Sequence, residues 1–185
     1  ILRAAGVAYA AGKSQVKLYF MNGLPYETLE DVEGIPALAK NVIEEYYRTP
    51  ERNKKRQPQV TISVACFIPK PFTPFQWEKQ ITPEEYLRRC RLLKSHFYSK
   101  SIEYDYHEPN LSRLEAVMAR GDRRLSAVLE RAWELGCRLD GWEENFNFDA
   151  WMQAFADTGL DADSYAYREF ADDDVLPWDL IDSGV

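Results

Sequence analysis

The sequence predicts an α/β protein, one sheet or barrel with helices between its strands. The first observation is the stretch Val16–Thr28, VKLYFMNGLPYET, in which six strand-forming residues run into Asn22-Gly23-Leu24-Pro25 and then into a helix start. The second is Val60–Ile68, where Val60, Ile62, Val64, Cys66 and Ile68 alternate with Thr61, Ser63, Ala65 and Phe67. The third is helical spacing in the segments around these strands. A strand that ends in a Gly-Pro turn aimed at a helix N-terminus builds a ligand-facing edge, because backbone can approach a ligand there and free N–H groups point at it.

In order, Ile1, Leu2, Ala5 and Tyr9 fall at helical spacing, with Gly12 as a stop. The chain opens at Ile1, without an initiator Met and already inside that pattern, so it reads as a fragment of something longer. Along Val16–Met21, Val16, Leu18 and Phe20 share one face and Lys17, Tyr19 and Met21 the other. In a parallel barrel the first face packs under helices, and Lys17 and Tyr19 look into the lumen. On an edge strand Lys17 is simply solvated.

Thr28 and Asp31 form a capping box, and Val32, Ile35, Leu38, Ala39, Val42, Ile43 and Tyr46 make the core stripe of the helix that follows. Pro36 inside it predicts a kink or a later start. Arg48–Gln59, RTPERNKKRQPQ, reads as a mobile surface loop with two prolines and five bases. After the second strand, Pro69, Pro71 and Pro74 forbid regular structure and stiffen a loop presenting Lys70, Gln76 and Trp77.

Thr82, Pro83 and Glu85 start the next helix, whose apolar face holds Tyr86, Leu87, Cys90, Leu93 and Phe97. Ile102–Tyr106 alternates as a third strand. Beyond Glu108 the pattern is helical. Ser112 with Glu115 reads as a capping box. Asp122 caps a helix burying Leu125, Val128, Leu129, Ala132 and Trp133, with Gly136 as its stop. Asn147 caps another carrying Phe148, Trp151, Met152 and Phe155, stopped at Gly159. The tail reads as short turns docked through Tyr165, Tyr167, Phe170, Leu176 and Trp178.

Composition narrows the function classes. At 185 residues the chain can bury a real core, and no apolar run reaches the ~18 residues of a membrane span. Cys66, Cys90 and Cys137 are spaced for neither a disulfide framework nor a metal knuckle, which favours a reducing cytoplasm. Residues 140–185 hold 13 acids and one base, Arg168, against 17 acids and 22 bases before them. That step suggests two structural units. His96 and His107 lie near no nucleophile motif, and there is no Walker or dinucleotide fingerprint, so no catalytic residue is singled out. Asp161, Asp163, Glu169 and Asp172 stand at calcium-loop ligand positions. Tyr165 and Ala166 interrupt that pattern, leaving a solvated turn as the reading. The bases at 52–56 and Arg88, Arg89, Arg91 and Lys94 are most simply solvated, so nucleic acid is a disfavoured partner.

The pairing of LYFMNGLPYET with a strand leading, about forty residues on, to FIPKPFTPFQW resembles the second half of the catalytic barrel of radical S-adenosylmethionine (radical SAM) proteins. The match is strongest with a bacterial group that carries a cobalamin-binding-like domain upstream. HEPNLSRLEAVMARGDRRL, AWELGCRLDGWEENFNFDAWMQAF and LPWDLIDSGV are similar to that group's C-terminal region. The resemblance therefore covers nearly the whole chain. It implies a partial TIM-like barrel with three parallel strands over residues 1–107, followed by an acidic α-helical appendage over 108–185. In that superfamily a [4Fe-4S] cluster binds S-adenosylmethionine and cleaves it reductively, and the resulting 5′-deoxyadenosyl radical abstracts hydrogen from substrate.

The cluster ligands of the group sit on a Cys-x3-Cys-x2-Cys loop that is absent from this sequence, so this fragment is expected to bind no cluster and to be inactive alone. By motif position, Asn22, Gly23, Leu24, Pro25 and Glu27 fall where later barrel strands contact S-adenosylmethionine, and Ile68, Pro69 and Lys70 where backbone meets the adenine. Lys17, Tyr19, Gln76 and Trp77 fall at substrate or lumen positions. The sequence departs from the group at Asn22, in place of an apolar residue, and at Leu180, in place of a histidine. The resemblance implies the N-terminal remainder of the same polypeptide as partner, with room for cobalamin. A barrel lacking its first strands leaves an unpaired edge and is expected to self-associate, which sedimentation at rising concentration would register. The rival reading is a non-catalytic α/β adaptor, binding protein or RNA through its basic loop or acidic tail.

Overall fold

The computed structural model describes residues 1–182 and Gly184. Ser183 and Val185, within the LPWDLIDSGV segment, lie outside the described residues. The order is α1 (Leu2–Ala10), β1 (Gln15–Asn22), α2 (Leu29–Arg48), β2 (Gln59–Cys66), α3 (Pro83–Lys94), β3 (Ile102–Tyr106), α4 (Pro109–Arg120), α5 (Leu125–Glu134), a 3-10 turn (Glu143–Asn145), α6 (Phe148–Thr158) and α7 (Ala162–Ala166). Over the described residues the chain is thus α/β, with a three-stranded sheet and seven helices. It divides into two compact units, Ile1–Cys66 with Glu84–His107, and Phe67–Pro83 with Glu108–Val185. The proline-rich loop after β2 groups with the second unit.

In the first unit the strand order is β1-β2-β3 and both pairings are parallel. Gln15 stands opposite Gln59 and Asn22 opposite Cys66; Val60 stands opposite Ile102 and Val64 opposite Tyr106. Parallel neighbours need crossovers, and α2 and α3 supply them. The β2 residues Val60, Ile62 and Val64 are wholly buried, as are Val32, Ala39 and Val42 from α2 and Tyr86, Cys90 and Leu93 from α3. Each such aliphatic side chain contributes roughly 1.5–3 kcal/mol. The Tyr86 hydroxyl donates to the Val64 carbonyl at 3.0 Å, which locks α3 to the central strand.

Thr28 caps α2 reciprocally with Asp31 as expected, and the helix already runs from Leu29 with Pro36 inside it, so the later start does not occur. Tyr46 packs edge-on to Tyr9 at 5.0 Å between ring centres. Its hydroxyl is shared between the carbonyls of Asn53 and Arg56, at 2.6 and 2.7 Å. The basic loop is therefore tied to α2, contrary to the expectation of a mobile connection.

The second unit is built on Leu114, Val117, Leu125, Val128, Ala132, Trp151, Phe155 and Tyr165. Asn147 caps α6 by accepting from the Ala150 amide, and Gly159 ends it at φ 68°. Two expectations are corrected. α4 begins at Pro109 rather than Ser112, because the Glu108 carboxylate accepts from Leu111 N at 2.5 Å while Ser112 is buried inside the helix. On α5, Leu129 and Trp133 are exposed, at 49% and 61%; three core positions suffice on so short a helix, and Arg138 covers the Trp133 ring at 4.3 Å. The tail docks through Tyr165, Leu176 and Trp178, all buried.

Candidate functional site at the carboxyl end of the sheet

In parallel α/β sheets ligands gather outside the carboxyl ends of the strands, and in β1 that end is Asn22-Gly23. Gly23 takes φ 91°, in the left-handed region that glycine tolerates. Its N–H donates to Glu27 Oε2 at 2.7 Å, and the Glu27 N–H closes a turn onto Leu24 O at 3.1 Å. Arg89 of α3 reaches the same carboxylate oxygen through Nη1 at 2.5 Å, and its Nε donates to Glu85 at 2.9 Å. Glu27 and Arg89 are nearly shielded from water, with side chains 9% and 14% exposed. Arg88 first and Arg89 second hold the Glu85 carboxyl down at about 2. The turn is thus clamped by a chain of alternating charges running Glu27–Arg89–Glu85–Arg88.

Asn22 is wholly buried, and neither its amide oxygen nor its amide nitrogen has a hydrogen-bond partner. A buried amide without partners costs about 1–3 kcal/mol, so such a group is rare in a settled core. Leu24 and Pro25 are half-buried in the same turn, whereas Tyr26 points to solvent at 89% exposure with φ 65°.

The face of β1 assigned to the lumen is open in the described chain. Tyr19 is 74% exposed and the Lys17 ammonium lies over its ring at 5.0 Å. Across the sheet, Lys17 aligns with Thr61 and Glu103, and Tyr19 with Ser63 and Asp105, giving two polar rows on one face. Thr61 Oγ1 donates to Glu103 at 3.1 Å. A wider depression of about 580 Å³ lies at the opposite, amino-terminal edge, lined by Ser14, Gln15, Arg56, Gln59 and Glu103. It is open to solvent and lies at the strand ends away from the Asn22-Gly23 turn.

The residues after β2 are engaged within the second unit. Ile68 packs against its core, and Pro69 is buried. Lys70 pairs with Glu115 at 2.6 Å. Gln76 Oε1 accepts from Phe72 N at 3.0 Å and from Trp178 Nε1 at 2.7 Å, while the Trp77 carbonyl accepts from Phe170 N. These polar groups fasten the proline-rich loop and the tail. Sequence reasoning missed Arg89 as the partner of Glu27; the two lie 62 positions apart, and no local pattern links them.

No group of three His, Cys, Asp or Glu residues suited to a metal occurs among the described residues. The calcium-loop acids are used elsewhere: Asp161 caps α7, Asp163 pairs with Arg113, and Glu169 faces Lys79 at 3.6 Å. All three cysteines are buried and outside any disulfide, and burial raises the pKa of Cys90 and Cys137. His96 and His107 are exposed. No helix of the described chain is long and apolar enough to cross a membrane.

The fold and this turn define the class of the chain: an α/β protein with a parallel sheet and a structured carboxyl-end turn. No protein-family model matches the chain, and no solved structure matches it. It is similar to an uncharacterized protein of Methanocaldococcus jannaschii, 29% identical over 160 residues, which take in 86% of this chain and 33% of the relative. The chain thus spans about a third of the length of that relative.

Proposed function

We propose that the chain is the C-terminal part of a radical S-adenosylmethionine enzyme, in which β1 to β3 are late strands of a partial TIM-like barrel. The observation that carries the reading is Asn22. An amide buried at the carboxyl end of a parallel strand, with both polar atoms unclaimed beside a positive-φ glycine, is suited to a polar ligand. The group that such an enzyme binds supplies one-electron cleavage chemistry. This chain supplies the wall against which it rests.

Asn22 would offer one donor and one acceptor, and Gly23 would let the backbone come close. Glu27 would contact nothing directly; with Arg89 it holds the Gly23 peptide in place. The lumen rows Lys17–Thr61–Glu103 and Tyr19–Ser63–Asp105 would face substrate. The buried, dispersed thiols do not fit a cluster site, so cluster ligands belong to sequence before Ile1.

The test is the whole protein, purified and reconstituted without oxygen. The reading expects a Cys-x3-Cys-x2-Cys loop upstream, and 5′-deoxyadenosine on reduction with S-adenosylmethionine present. A reading frame without that loop, or no product above that of a cysteine-to-alanine control, would overturn it. The adaptor reading would then gain, with the tethered basic loop as its grip.

A further inference from the structure

We propose that the C-terminal unit carries an anion site around Arg120 that takes a phosphate or phosphomonoester group. Arg120 is wholly buried at the end of α4. Its Nη1 donates to the carbonyls of Tyr165 and Ala166, at 2.7 and 2.9 Å, and its Nη2 to that of Arg168 at 2.5 Å. The Phe170 ring stacks on the guanidinium at 4.5 Å. Among the described residues no carboxylate pairs with it, and its Nε–H is buried without an acceptor. Burial first, and the Arg168 charge second, pull its pKa down to about 10.

The space in front of Arg120 is a cavity of about 270 Å³, whose wall also includes Arg124, Tyr165 and Arg168. Two of the three arginines are neutralised. Asp122 takes Arg124 through Nε and Nη2, at 3.0 and 2.6 Å, and Asp174 takes Arg168 with both oxygens at 2.6 Å. Three guanidinium groups against two carboxylates leave one positive charge, and it belongs to the buried member. A charge in that position is stabilised by a counter-ion, and the cavity is where one can enter.

The donors left over indicate the kind of anion. Arg120 Nε–H is unclaimed. The Tyr165 hydroxyl is buried beside Arg124, whose guanidinium lies over its ring at 5.8 Å. Arg124 and Arg168 each keep Nη1 free of the ion pairs described. Donors carried by three guanidinium groups suit the tetrahedral oxygens of a phosphate better than the two of a carboxylate. At about 30 Å³ per water in the liquid, the cavity also leaves room for a small organic group behind the phosphate.

Thermal unfolding of the 185-residue chain, followed by tryptophan fluorescence, tests this. Inorganic phosphate is titrated at constant ionic strength against chloride. The expected result is a saturating rise in Tm of about 3–5 °C at ten times the dissociation constant. Arg124→Gln and Arg168→Gln alter exposed side chains and leave the Arg120 anchor in place, and each should weaken phosphate at least tenfold. The absence of a saturating rise would overturn the proposal. So would a rise of equal size in the double variant, or acetate matching phosphate at equal concentration.

Discussion

Replacing Glu27 probes the clamp on the β1 turn directly. The carboxylate does two things at once: it accepts the Gly23 N–H at 2.7 Å, and it neutralises Arg89 at 2.5 Å from a position 9% exposed. Breaking a buried ion pair costs about 3–5 kcal/mol, and an orphaned buried N–H about 1–3 kcal/mol. Arg89 retains Glu85 at 2.9 Å, so its charge is not left alone and the total falls short of the sum. Glu27→Ala should therefore cost about 3 kcal/mol. Glu27→Gln keeps an oxygen for Gly23 and should cost about 1–2 kcal/mol. All five tryptophans, Trp77, Trp133, Trp142, Trp151 and Trp178, lie in the second unit, so their fluorescence does not follow this site. Hydrogen exchange of the β1 and α2 amides in urea does. A double-mutant cycle with Arg89→Met should return a coupling of about 1–3 kcal/mol. Additivity within about 0.5 kcal/mol would show that Glu27 and Arg89 are uncoupled, and an unaffected Glu27→Ala protein that the clamp contributes nothing.

Two further outcomes follow from the same region. Asn22→Leu removes a buried amide without partners and should stabilise the free chain by about 1–2 kcal/mol, read by the same exchange experiment; destabilisation would mean that the amide is satisfied. Glu85 titrates at about 2 rather than 4.5 because of Arg88 and Arg89. Its pKa is lowered on folding, so its contribution is complete above about pH 4.5 and is lost as the pH falls toward 2. Glu85→Gln should flatten the acid limb of the stability profile in that window, and parallel limbs would refute the assignment.

What was legible in the sequence was local. Thr28 and Asp31 are three positions apart and announce the start of α2, as Asn147 and Gly159 announce both ends of α6. The alternation in β1 and β2 fixes which side chains share a face. Ser112 misled because Glu108, four positions earlier, offers a carboxylate to the same helix end, and Pro109 fits the first turn. Trp133 misled because helical spacing shows which residues align but not how wide the buried stripe is. The candidate site was half legible. The Asn22-Gly23 turn stands out in the sequence, but the clamp on it joins residues 62 positions apart. Gln76 and Trp178, 102 positions apart, are likewise invisible to any local rule. No local pattern marks Arg120; only packing reveals that its charge is enclosed.

The strand pairing constrains how the chain comes to be folded. Gln15 meets Gln59, and Val60 meets Ile102, so within this chain no rung of either ladder joins residues fewer than 40 positions apart. During synthesis at about 5–20 residues per second, β1 waits roughly 2–9 seconds for its β2 partner. Loop closure must then be met before any sheet hydrogen bond forms, which places this topology among the slower folders. Through that interval the self-capped α2 is the element able to take shape, and Val16, Leu18 and Phe20 stay uncovered on the nascent polypeptide.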